Sequence, residues 1–183
     1  MANINLSEIS SLIKVQINAY KEDIYTGAKA AAAGGFTTVV MMANTKPAID
    51  NVETLTYVLQ KGRETGIHVE SCATVTIGMQ GEQMADMEAL KAAGAIGFTD
   101  DGVPIVEEKL ARAAMAETAR LQVPISFHEE HPIFISNNGV NRGKASMHFG
   151  IGGSDRQAEI SMVERDVQLA LETGAAMNVQ HIS

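Results

Sequence analysis

Five times along this chain, a stretch of helix formers closes at a turn and a short apolar run follows that ends in polar residues. Gly34-Gly35 leads into FTTVVMMANT, and Gly66 leads into IHVESCATVTI. Gly94 leads into AIGFTDDG, Gln122 into VPISFHEE and Gly174 into AAMNVQHIS. Most of these turns are spaced by about 30 residues, the length of one βα unit. The apolar runs are continuous rather than alternating, which suits parallel strands covered on both faces. The stretches between them read as helices. EEKLARAAMAETARL (107–121) has acids in its first turn and Arg120 in its last. Ser154 and Gln157 form a capping-box pattern before AEISMVERDVQLALE, and Gly174 closes that helix. Gly34 and Gly66 stand where C-terminal caps would.

Consecutive βα units restrict the chain to a parallel α/β architecture. A (β/α)8 barrel is the leading form and a doubly wound sheet the alternative. A full barrel needs about 250 residues. This chain has 183, so about five βα units and a partial (β/α)8 barrel are expected. One interval is longer and holds a polar, Gly-rich insertion, HPIFISNNGVNRGKASMHFGIGGS. Long loops in compact domains tend to act as lids or binding loops.

Charge narrows the partners. The net charge is −8 and the pI about 5.1, which argues against nucleic acid. The single cysteine, Cys72, rules out a disulfide within the chain. No apolar run reaches the roughly 18 residues a membrane span requires. The start, MANINLSEISSLIK, lacks the basic and apolar regions of a secretory signal. A cytoplasmic protein acting on small molecules is the expectation.

In a barrel the chemistry lies at the carboxyl ends of the strands. Here those ends carry Asn44, Asp100-Asp101, His128-Glu129-Glu130 and His181. Two histidines and a carboxylate on separate strand ends make a divalent-metal set of the kind zinc favours. Singly, each has an ordinary reading, since Asp-Asp-Gly is a common turn and a lone His is often structural. Their shared position is what raises the case. Other patterns carry less. His128 and His131 are too close for the H-E-x-x-H zinc helix, and Gly150-Ile151-Gly152-Gly153 matches neither a dinucleotide fingerprint nor a P-loop. That glycine loop offers backbone for close approach to a substrate. His68 and His148 read as surface or structural residues, and Cys72 as buried and inert.

Four stretches now taken together resemble the dihydroorotase family of the amidohydrolase superfamily: YKEDIYTGAKAAAAGGFTTVVMMANTKP, AIGFTDDGVP, PISFHEE and NVQHIS. They occur in family order and spacing across residues 20–183, which are expected to form an incomplete barrel domain. The resemblance implies a zinc-dependent cyclic amidase that interconverts dihydroorotate and N-carbamoyl-L-aspartate in pyrimidine biosynthesis. It is similar to the type in which an aspartate bridges two zinc ions. By motif, Asp101 is then the bridging carboxylate, His128 and His181 ligate one zinc, and Asn44 helps hold the substrate carboxylate. Ala43 stands where the family has proline. The resemblance also implies assembly partners, either further copies of the chain or aspartate carbamoyltransferase.

Two departures from the family pattern shape the expectation. The family's His-x-His-x-Arg motif should precede YKEDI, yet residues 10–17 read SSLIKVQI and the first histidine is His68. Residues 1–19 are therefore expected not to match the family, and the second zinc lacks its His-x-His ligands. The family's acid/base aspartate lies in a later strand, past Ser183, so no catalytic residue is assigned within the chain. This polypeptide is accordingly expected to be inactive or impaired. The alternatives are a non-catalytic dihydroorotase-like subunit and a hydantoinase- or allantoinase-type amidohydrolase.

Overall fold

The computed structural model describes residues 22–136 and 139–182. The expected boundary at residue 19 and the SSLIKVQI stretch lie outside the described residues. Helix α1 (Ile24–Ala33) is followed by β1 (Thr38–Met41), α2 (Val52–Arg63) and β2 (His68–Ser71). Then come α3 (Met87–Ala93), β3 (Phe98–Thr99), α4 (Glu108–Leu121) and β4 (Ile125–Phe127). A short α5 (Lys144–His148), a long α6 (Gln157–Thr173) and β5 (Met177–Val179) complete the series.

All five expected strands are present and their pairing is parallel. Thr38 to Met41 pair with His68 to Ser71, Phe98 with Ile125, and Ile125 to Phe127 with Met177 to Val179. Between β2 and β3 the ladder reduces to a single parallel bridge, Ala73 to Phe98. The Ile96 N–H donates to Ser71 O and the Ala73 N–H to Gly97 O, so the two sheets adjoin. The spatial order therefore follows the chain order, β1 to β5. A doubly wound sheet reverses its order at a switch point, so this alternative is set aside and the partial (β/α)8 barrel stands. The sheet curls: the Gln180 side chain, just past β5, reaches Met42 Sδ, just past β1, at 3.4 Å.

The helices start and stop for local reasons. Asp23, Asn51, Asp86 and Glu107 each accept a backbone N–H from the first turn of α1 to α4, satisfying donors that the helix leaves unpaired. Gly94 and Gly174 take the left-handed conformation that ends α3 and α6. Two sequence expectations fail. Ser154 does not cap α6. It is buried and accepts from the Ser136 N–H, while Asp155 Oδ1 receives the Gln157 N–H at 3.0 Å. Gly66 is not a cap either, because α2 ends at Arg63 and Glu64 is its capping residue.

Apolar spacing sets the buried faces. Leu55, Val58, Leu59 and Gly62 of α2 form one stripe, and Ala111, Ala114, Met115 and Thr118 of α4 form another. They close over a core with Ile49, Val75, Leu90, Phe98, Ile105 and Ile125 at its centre. Strands β3 and β4 are the buried middle, whereas β1 and β5 alternate between half-buried and exposed residues. Gly62 has a packing reason. A Cβ there would lie 2.7 Å from Val69 Cβ, so only glycine lets α2 sit this close to β2. Gly153 is similar, since a Cβ would meet the Arg142 backbone at 2.5 Å. The close approach made by the 150–153 loop at Gly153 is thus to Arg142.

Candidate metal centre

The strand ends converge as the sequence suggested. Asp101 follows β3, His128 follows β4, and His181 follows β5. One ligand atom from each lies within 4.8 Å of the other two. His128 Nδ1 is 3.0 Å from His181 Nε2, and His181 Nε2 is 3.4 Å from Asp101 Oδ1. The two imidazoles meet edge to face with centroids 4.7 Å apart. Two atoms bound at normal zinc distances to one tetrahedral ion sit about 3.3 Å apart. The donor set is therefore nearly at that spacing already, and its chemistry suits a divalent ion. These residues fit one metal.

Neighbouring side chains orient these three residues. Glu130 Oε2 lies 3.2 Å from His128 Nε2. If Nδ1 faces the ion, Nε2–H donates to this carboxylate, the arrangement common behind metal-bound histidines. Asn44 does not stand free at the end of β1. Its amide donates to Asp101 Oδ2 at 2.8 Å. Asp100 points the other way, into the core, and is buried. Its Oδ1 accepts the Val75 and Thr76 N–H groups at 2.8 and 3.2 Å, and its Oδ2 accepts the Thr76 hydroxyl. Burial raises the Asp100 carboxyl above its ordinary value, against the pull of those three hydrogen bonds. Asp100 thus fixes the β3 end from which Asp101 projects.

Glu129 faces inward from the same turn. It is buried, and neither carboxylate oxygen has a hydrogen-bond partner of ordinary geometry. Burial first, then the nearby Asp166 carboxyl, pushes it up to about 8. Asp166 is itself held by Arg165, which also donates to Ile105 O and Val106 O at 2.8 and 2.9 Å. These bonds tie α6 to the segment that leads into α4. The HEE sequence contains both Glu129 and Glu130, yet nothing local tells that one turns in and the other supports His128.

A cavity of about 550 Å³ opens beside His128 and His181 and is walled by Asn141 and Ser154 of the long insertion and by Arg156 just after it. The insertion thus borders the centre. The histidines set aside in the sequence stay apart from it. His68 is exposed at the start of β2, and His148 is exposed against Phe149. His131 caps a short turn by accepting the Ile133 N–H. Cys72 is buried, and burial pushes its thiol up, so it is a poor nucleophile.

Comparison with known proteins agrees with this layout. Solved D-hydantoinase structures share the fold. One, from Bacillus sp. AR9, superposes with a TM-score of 0.59 at 18% identity, over 88% of this chain and 37% of that one. A second D-hydantoinase gives 0.60 at 16% identity. Among curated relatives, a dihydroorotase of Clostridioides difficile is 51% identical over 164 residues, which is 90% of this chain and 39% of that protein. Dihydroorotases of Clostridium acetobutylicum and Streptococcus pneumoniae are 50% and 49% identical over similar spans. The chain thus spans about two fifths of these relatives' length. The dihydro-orotase-like family model matches residues 4–183, and on that match and those identities the chain belongs to the dihydro-orotase-like family.

Proposed function

We propose that this chain carries one metal-binding half of a dihydroorotase centre, serving interconversion of dihydroorotate and N-carbamoyl-L-aspartate in pyrimidine biosynthesis. The observation that carries the reading is the convergence of Asp101, His128 and His181 at three strand ends. Zinc bound there would polarise the amide carbonyl and lower the pKa of a bound water. The protein's own part is positional. Asp101 offers one oxygen toward the ion, while Asn44 holds the other. Glu130 keeps the His128 ring turned so that Nδ1 faces His181. In this reading Asn44 also contacts the substrate carboxylate, and residues 20–183 form the barrel domain. The centre works in the cytoplasm, and assembly is with further copies or with aspartate carbamoyltransferase.

The second zinc site would need the His-x-His-x-Arg motif, and no histidine precedes His68. The isolated chain is therefore proposed to bind one zinc and to turn over dihydroorotate poorly. Assay of dihydroorotate hydrolysis with added zinc tests this, and turnover equal to a full-length relative would overturn it. The same missing motif favours a second reading, a non-catalytic subunit. Co-purification with aspartate carbamoyltransferase without bound metal would support that reading over the first.

A further inference from the structure

We infer that Gln180 is a positioning residue that sets the spacing of the metal ligands, an inference resting on the metal reading above. Its backbone N–H donates to Phe127 O at 3.3 Å, beyond the last paired rung of β4 and β5. Its side-chain Oε1 lies 3.0 Å from Thr99 Oγ1, and its Nε2 lies 3.4 Å from Met42 Sδ. The direction of these contacts follows from chemistry. A thioether sulfur only accepts, so the amide NH2 must face Met42. The amide oxygen is then left to take the Thr99 hydroxyl proton.

Each partner sits just before a residue of the centre. Phe127 precedes His128, Thr99 lies two residues before Asp101, and Met42 two before Asn44. Gln180 itself precedes His181. One half-buried residue, through its backbone N–H to β4 and its side chain to β3 and the end of β1, thus ties four strands together one layer below the ligands. The tie has work to do. His181 has φ 38°, a left-handed conformation that is uncommon for a non-glycine residue, though less so for histidine, and that a local constraint helps to hold. Anchoring of the preceding residue on three strands supplies that constraint and carries the His181 ring to His128.

Gln180→Met tests this, because it keeps the length of the side chain and removes both amide contacts. Thr99→Val removes the hydroxyl in an isosteric side chain, and Thr99→Ser restores it. Cobalt(II) titration followed by visible absorption reads the affinity of the whole chain, and thermal unfolding controls for stability. Gln180→Met and Thr99→Val should each weaken cobalt binding about ten-fold, the scale for residues that orient ligands. The double variant should be no weaker than the worse single one, and Thr99→Ser should bind as the parent does. In metal-free protein, the nuclear Overhauser contact between the His128 and His181 rings should fade in Gln180→Met. Unchanged cobalt affinity in both variants, with the ring contact intact, would overturn the inference. Should the parent chain bind no cobalt through His128 and His181, the metal reading fails. The ring contact then decides alone, its loss in Gln180→Met supporting the positioning role and its persistence overturning it.

Discussion

Asp100 offers the sharpest test of how the β3 end is built. It is 2% exposed and accepts three hydrogen bonds from Val75 and Thr76. Asp100→Ala leaves two buried N–H groups and a hydroxyl without their acceptor, at roughly 1–3 kcal/mol each. Relaxation and shared solvent make such losses less than additive, so about 3–5 kcal/mol is expected. For a chain of this size each kcal/mol moves the unfolding temperature by about 2–4 °C. The variant should therefore melt roughly 6–20 °C lower. Asp100→Asn should behave differently. Its amide oxygen can still accept both backbone N–H groups, and the Thr76 hydroxyl can turn to accept from the new NH2. Because burial already disfavours the charged carboxylate, the neutral amide should match or exceed the parent at neutral pH. Thermal unfolding by circular dichroism measures all three proteins. An alanine variant within 1 kcal/mol of the parent, or an asparagine variant as weak as the alanine one, would refute the reasoning.

Glu129 has a folded-state pKa raised to about 8, so the fold favours its neutral form, and that stability is full below about pH 4.5 and lost as pH rises through 8. The unfolding temperature should therefore fall by several degrees between pH 5 and 9, and Glu129→Gln should remove most of that slope; an identical slope in the variant would contradict the assignment. Gly62→Ala should cost about 1–3 kcal/mol through collision with Val69, read as a lower urea midpoint, and an unchanged midpoint would show that α2 can shift freely. Glu130→Ala should weaken zinc binding at His128 by about ten-fold in a competitive chelator titration while leaving thermal stability nearly unchanged.

Much of this architecture was legible because it is written locally. The runs TTVVMM, PISF and AMNV became β1, β4 and β5, and Gly94 and Gly174 became left-handed helix ends. The convergence of Asp101, His128 and His181 was legible because a parallel barrel puts every strand end on one face. What was missed depends on contacts between distant parts of the chain. Ser154 has the right type for a cap, but Ser136 and the Asn141 bridge pull it into the loop packing, and the Gln157 N–H donates to Asp155 instead. Gly66 looked like a cap only because the end of α2 could not be located to within two residues. Helix α5 hid within a segment whose composition reads as loop. The Glu130 support of His128 and the Asn44 grip on Asp101 need the fold before they can be seen. Gln180 is the extreme case, since its partner Met42 is 138 residues away in sequence.

Isothermal titration of the chain with zinc, set beside Asp101→Ala, His128→Ala and His181→Ala, shows whether these three residues hold a metal ion. The parent should bind one zinc per chain, and both histidine variants should lose that site, with a weaker residual site after Asp101→Ala. Zinc binding of unchanged stoichiometry and affinity in the His128 and His181 variants would contradict that assignment.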